Sequence, residues 1–76
     1  MDAKSIINKY TVGTFDDFKL VTELKNAGYK IEMQNLVDTI TESTYELTVR
    51  DKSDEIVATS IISSEEGVGT IIKEVR

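Results

Sequence analysis

The stretch TFDDFKLVTELKNAGYKIEMQ (residues 14–34) changes its hydrophobic period in the middle, and this change constrains the fold more than any other feature of the chain. Up to Gly28 the apolar residues recur every three to four positions, as on one face of a helix, and from Tyr29 onward they alternate with polar residues, as in a strand. Gly28 suits the left-handed C′ position that ends a helix, and Tyr29 suits the apolar C″ position. The sequence therefore predicts a helix over about 15–27, followed directly by a half-buried strand.

The start of this helix has the signals of a capping box. Thr14 is placed to cap the helix and Asp17 stands three residues further on, while Asp16 and Asp17 favour the positive end of the helix dipole. The predicted apolar stripe consists of Phe15, Phe18, Leu20, Val21 and Leu24. A shorter and weakly capped helix is predicted upstream, in DAKSIINKY, where Ala3, Ile6, Ile7 and Tyr10 share one face.

Two further strands are predicted after the period change. YELTVR (45–50) alternates with Tyr45, Leu47 and Val49 inward, DKSD (51–54) has the composition of a hairpin turn, and EIVATSII (55–62) is apolar on both faces. We expect this third strand to be central in the sheet. NLVDTITEST (35–44) is predicted to be a polar connection, although its LVDTI segment could extend the first strand.

The C-terminal segment SSEEGVGTIIKEVR (63–76) fits two structures. Ser63 with Glu66 forms a capping box, and Val68, Ile71, Ile72 and Val75 fall at helical spacing. Two glycines and a β-branched tail that alternates with polar residues fit a strand instead. We favour a helix over 64–75. The predicted fold is then a single α+β domain over residues 1–76, in the order α-α-β-β-β-α, with a three-stranded antiparallel sheet whose helices pack on one face.

Composition makes enzymatic chemistry improbable for this chain. There is no cysteine and no histidine, which excludes thiolate and imidazole chemistry and most transition-metal sites. The acid pairs Asp16–Asp17 and Glu65–Glu66 each lie in the first turn of a predicted helix, where carboxylates are expected for electrostatic reasons. We predict no catalytic residue, cofactor or metal. No apolar run is long enough to cross a bilayer, so we expect no membrane association and a cytoplasmic location.

The acidic residues are concentrated in one half of the chain. Residues 1–37 carry equal numbers of acids and lysines, whereas residues 38–66 carry eight acids against Arg50 and Lys52, a balance of −6. We expect these acids to gather at the ends and on the outer face of the sheet and to engage a basic surface of a protein partner; such a field would repel nucleic acid. The predicted partner-binding residues are Asp38, Glu42, Asp51, Asp54, Glu55, Glu65 and Glu66.

The order of elements resembles a known family over about residues 14–75. A helix ending in ELKNAGY, a strand KIEM, the hairpin YELTVRDKSDEIVATSI and an acid-led last helix resemble the small acidic phage anti-CRISPR proteins. Members of that family inhibit the RNA-guided CRISPR nuclease by mimicking DNA at the site that reads the protospacer-adjacent motif. The resemblance implies a contact surface formed by Asp51, Asp54 and Glu55 of the turn with Asp38 and Glu42 of the first loop.

Two functions follow from these observations. The first is a non-enzymatic phage or mobile-element inhibitor whose acidic face blocks the nucleic-acid-binding surface of a host enzyme, such as a CRISPR nuclease. The alternative is a small structural or accessory module, a monomer or a homodimer paired through an exposed sheet edge, whose acidity serves only solubility.

Overall fold

The computed structural model describes residues 2–76, with two short helices followed by a four-stranded antiparallel sheet. Met1, the first residue of the predicted domain, lies outside the described residues. The helices are α1 (Ala3–Asn8) and α2 (Asp17–Asn26), and the strands are β1 (Lys30–Asp38), β2 (Glu42–Arg50), β3 (Ile56–Glu65) and β4 (Gly69–Val75). The strand order is β1-β2-β3-β4, so each strand pairs with its neighbour in the chain. The α+β class is confirmed, but the sheet has four strands where three were predicted.

Both helices begin at an aspartate whose side chain accepts a backbone hydrogen bond. Asp2 Oδ1 accepts from Ser5 N at 2.8 Å, so α1 is better capped than its sequence suggested. Asp16 Oδ1 accepts from Phe18 N at 3.0 Å, so Asp16 is the N-cap of α2. The prediction that Thr14 caps this helix is wrong. The first turn of a helix leaves its N–H groups without partners, and these carboxylates satisfy one of them in each helix.

The end of α2 agrees with the prediction. Tyr29 N donates to Leu24 O at 3.1 Å and Gly28 N donates to Lys25 O at 3.0 Å, the two bonds of a Schellman motif. Gly28 has φ of 94°, in the left-handed region that favours glycine. The chain therefore reverses here and enters β1 within a few residues.

One hydrophobic core lies between the helices and one face of the sheet. Its members are buried aliphatic residues from both helices and from the two interior strands, namely Ala3, Ile6, Ile7, Leu20, Leu24, Leu47, Val49, Ala58 and Ile62. The interior position predicted for β3 is confirmed, and β2 shares it. Val57 and Ile61 of β3 are half-buried, and Val57 also packs against this core. Two predicted members of the apolar stripes, Phe18 and Met33, lie at the surface instead.

The predicted closing helix over 64–75 is wrong, because these residues form the end of β3, a turn and β4. Gly67 and Gly69 have φ of 80° and 103°, which no right-handed helix can contain, and they reverse the chain into a hairpin. Ile72 and Val75 then pack against the core, and a register shift opposite Ile61 and Ile62 lets both face inward. β4 also pairs with the edge of β3, whose backbone N–H and C=O groups a closing helix would leave without partners.

The predicted connection over 35–44 is also too long. β1 continues to Asp38 and β2 begins at Glu42, so the extension of the strand through LVDTI is largely what occurs. A register shift between Asn35 and Val37 leaves Leu36 as the extra residue of a bulge. The turn itself is closed by Thr39, whose N donates to Glu42 O at 2.7 Å.

Candidate partner-binding end of the sheet

The up-and-down strand order places two turns side by side at one end of the sheet. We call this the two-hairpin end; it comprises the β1–β2 turn (39–41), the β3–β4 turn (66–68) and the strand residues next to them. Glu42 and Glu65 are direct partners across β2 and β3, and Glu66 N donates to Thr41 O at 2.8 Å. The two turns are thus joined by backbone hydrogen bonding into one surface.

Four of the seven predicted partner-binding acids lie at the two-hairpin end. They are Asp38, Glu42, Glu65 and Glu66. Within residues 2–76, none of the four takes part in an ion pair, and the sequence contains no lysine or arginine at 31–49 or 53–72. The charge of this end is therefore uncompensated by neighbouring bases, and its negative potential extends into solvent.

Each turn of this end also carries an exposed aliphatic side chain. Ile40 is 100% exposed and Val68 is 55% exposed. A shallow groove of about 230 Å³ lies beside Ile40, with walls from both hairpins that include Thr41, Ser64 and Glu66. Apolar anchors within a charged rim are typical of protein interfaces, in which the anchors supply affinity and the charges supply orientation.

The other three predicted acids lie at the opposite end of the sheet, in the β2–β3 turn. We call this the single-turn end (residues 51–55). Asp51 Oδ1 accepts hydrogen bonds from Ser53 N at 2.8 Å and from Glu55 N at 3.0 Å, so its carboxylate holds the turn together. Asp54 has φ of 68°, a left-handed conformation that aspartate tolerates better than most residues.

Basic residues surround the acids of the single-turn end. Lys30 Nζ lies 3.7 Å from Asp54 Oδ1, and Arg50 Nη1 donates to Asp54 O at 2.9 Å. Arg50 also forms an ion pair with Glu32, and the hydrogen bond to Glu32 raises the pKa of its guanidinium. This end therefore has a mixed surface in which the carboxylates of Asp51 and Asp54 have local partners.

The structure does not bring the seven predicted residues into one site. β2 is nine residues long and separates the two groups by about 25 Å at the usual rise per residue. The Debye length at physiological salt is about 8 Å, so the groups act on solution charges independently. Only the four acids of the two-hairpin end form a contiguous uncompensated surface.

Sequence reasoning missed Ile40 and Val68 as surface residues. Ile40 was within the predicted polar connection, and Val68 was assigned to the apolar face of the predicted closing helix. In both cases the aliphatic residue stands between turn-forming residues, in DTITES and EEGVGT. Those turn-forming neighbours were the available signal.

The two acid pairs considered for catalysis have different positions. Asp16 caps α2, and Asp17 Oδ2 accepts a hydrogen bond from Tyr45 Oη at 3.0 Å. Burial raises the pKa of Tyr45, and the Asp17 carboxylate raises it further, so the phenol remains a hydrogen-bond donor. Glu65 and Glu66 do not lie in the first turn of a helix, so the electrostatic reason expected for their position does not apply.

Within residues 2–76 no cluster of three or more aspartate, glutamate, histidine or cysteine residues has the geometry to hold a metal ion. In the same part of the chain, neither helix has the length and apolar character that a membrane-spanning helix requires.

The fold and the site define a small α+β protein with a helix layer on one face of a four-stranded meander and an acidic surface at one end of it. No protein family, curated protein or solved structure gives a significant match to this chain.

Proposed function

We propose that this chain is a non-enzymatic binding protein whose two-hairpin end engages a basic surface of a protein partner. Such a surface is typical of enzymes that bind nucleic acid, and the proposed role is that of a phage or mobile-element inhibitor occupying it. The acids of the end, Asp38, Glu42, Glu65 and Glu66, would meet lysine and arginine side chains of the partner.

One observation carries the proposal: Glu42 and Glu65 stand directly opposite each other on interior strands, without a neighbouring base. Like charges in this position destabilise a sheet. A lysine at either position would remove that cost. Acidity that only keeps the protein in solution does not require this pairing. A partner that supplies positive charge would relieve the repulsion between the two carboxylates, and this relief would add to the binding affinity.

The anti-CRISPR type of inhibitor is one form of this proposal. The resemblance included an acid-led closing helix, and β4 occupies that segment instead. It also assigned contacts to Asp51, Asp54 and Glu55, which lie about 25 Å from the two-hairpin end. The support that remains for this type is the acidity itself, together with the order of α2, β1 and the β2–β3 hairpin.

The test is a pair of double variants with the same change in net charge. E42Q/E66Q neutralises the two-hairpin end and D54N/E55Q neutralises the single-turn end; asparagine keeps the left-handed conformation that residue 54 requires. Tagged proteins are used to capture partners from lysate, and the affinity for a captured basic protein is then measured at low salt and at about 0.15 M salt.

We expect E42Q/E66Q to weaken the interaction roughly tenfold at low salt and D54N/E55Q to leave it within about twofold. Equal effects of the two variants would show that binding depends only on the net charge of the protein, which would contradict the proposal. The same contradiction would follow if no basic protein were captured.

The homodimeric form of the alternative, a small structural or accessory module, is favoured by one feature of the fold. β1 is an edge strand, and most of its residues are exposed. An open edge can pair with a second copy of the chain. Sedimentation equilibrium of the purified protein distinguishes this alternative, because it predicts a dimer without any partner.

A further inference from the structure

The two edges of the sheet differ in how they are covered. At β4, Phe15 N donates to Thr70 O at 3.0 Å, and Thr14 lies so close that a Cβ at Gly69 would be 3.1 Å from its Cγ2. The segment between α1 and α2 therefore covers the start of that edge. At β1, no backbone hydrogen bond reaches residues 31–38 from any part of residues 2–76 other than the β1–β2 hairpin itself.

An apolar groove runs beside the open edge. Phe18 of α2 is 74% exposed and Met33 of β1 is 54% exposed, and with Val21 and Asp17 they line a groove of about 170 Å³. A phenylalanine that projects from a helix into solvent leaves a large apolar area uncovered. The groove has room for one aliphatic side chain from a segment placed along β1.

Charge identifies the kind of segment that fits. Asp17 is the charged residue of the groove wall, and Asp38 ends the strand. Lys30 and Glu32 at the start of the strand are paired with Asp54 and Arg50, so their charges are offset within the sheet and the two aspartates remain. A second copy with net charge −5 would bring further negative charge to this edge, whereas a basic segment would neutralise it.

We infer that β1 accepts a short extended basic segment of the protein partner as a fifth strand, with an aliphatic side chain in the Phe18–Met33 groove. The bulge at Leu36 ends the regular pairing, so the open edge offers about five residues, 31–35. Backbone hydrogen bonds would supply affinity, and alternate side chains would supply specificity. The inference rests on the proposed function in requiring a basic partner; edge pairing is a separate claim.

The experiment uses a defined probe, a blocked nine-residue peptide of alternating lysine and valine. We expect saturable changes in the amide NMR signals of residues 31–35 and slower hydrogen exchange there. A peptide of the same sequence, N-methylated on the alternate nitrogens of one edge, keeps its charge but cannot pair along that edge. We expect it to bind roughly tenfold more weakly.

Matched protein variants separate the edge from net charge. Met33→Lys places a charge in the middle of the open edge, which opposes strand addition, and we expect a roughly tenfold loss of peptide affinity. Val12→Lys makes the same charge change at an 87% exposed site between the helices and should bind the peptide as the unaltered protein does.

Three outcomes would overturn the inference. Equal binding of the N-methylated peptide, or equal affinity of the two lysine variants, would mean that attraction is only electrostatic. Absence of peptide binding would show that β1 is not a binding site. It would not bear on the proposed function of the two-hairpin end, which its own charge variants test. A dimer in sedimentation equilibrium that Met33→Lys abolishes would assign the edge to a second copy.

Discussion

The two ends of the sheet contain similar numbers of acids but use them differently. At the single-turn end, Asp51 accepts two backbone hydrogen bonds and Asp54 is close to Lys30. At the two-hairpin end, Glu42 faces Glu65, and no base is near either of them in sequence. A count of acids along the chain cannot distinguish a carboxylate that builds a turn from one that faces a like charge at a cost in stability.

This contrast shows what makes an acidic segment a candidate site. The relevant property is the absence of a neighbouring base combined with clustering from distant parts of the chain. Asp38 and Glu66 are 28 positions apart and lie at the same end of the sheet because two antiparallel hairpins turn there. The DKSD turn drew attention in the sequence because its acids are adjacent, yet adjacency there reflects turn chemistry.

The largest expected stability effect within this comparison is that of Asp51→Ala. The substitution removes the acceptor for Ser53 N and Glu55 N, and we expect a loss of about 1–2 kcal/mol in the free energy of unfolding. Glu66→Ala at the two-hairpin end should change it by less than about 0.5 kcal/mol. Urea unfolding of both variants measures this difference. Similar losses for the two would mean that both acids are structural.

A smaller effect of opposite sign is expected for Glu65→Lys. The like-charge pair with Glu42 becomes an opposite-charge pair, and we expect a gain of about 0.2–1 kcal/mol in stability. The gain should shrink in about 1 M salt, where charges are screened over a few ångströms. Glu65→Gln is the control, with part of the gain and little salt dependence. A loss of stability would show that Glu65 already has a favourable environment.

The smallest expected effect concerns Glu23, an acid of the helix layer that does have partners. Its carboxylate forms an ion pair with Lys9 and accepts from Tyr10 Oη at 2.8 Å; the Lys9 hydrogen bond, followed by that of Tyr10, lowers its pKa from the ordinary value of 4.5. A lowered pKa in the folded state contributes stability above the unfolded pKa, and this contribution is lost as the pH falls through the folded value.

Glu23→Gln should therefore reduce stability slightly at neutral pH and flatten its decline below about pH 4.5. Urea midpoints at about pH 6 and about pH 3 provide the measurement. If the stability of Glu23→Gln declined at low pH as steeply as that of the unaltered protein, the Lys9–Glu23 pair would contribute nothing to folding.

The helices and the first three strands were predictable because their signals are local. The Schellman motif of α2 depends on Leu24, Gly28 and Tyr29, all within six residues. The alternation of Leu47 and Val49 on β2 likewise places both in the core. Such patterns depend on the period of a single element, which any correct packing must respect.

The last strand was not predictable in this way, because its signals conflict. Val68, Ile71, Ile72 and Val75 fit a helix, but the left-handed Gly67 and Gly69 and the free edge of β3 favour a strand. The edge exists only after β2 and β3 have paired. Phe18 and Met33 have a similar explanation, because their periodicity places them toward the core but the two short helices leave that side of β1 uncovered.

The sequence by itself determined the two helices, the presence of the first three strands, the aliphatic core and the acidity of residues 38–66. Only the tertiary structure decided that four of those acids form one surface and that three belong to a turn at the far end. The physical reason is that period and capping act over a few residues, whereas a surface charge cluster depends on which strand ends meet. Strand pairing between distant residues sets that geometry, and no local pattern encodes it.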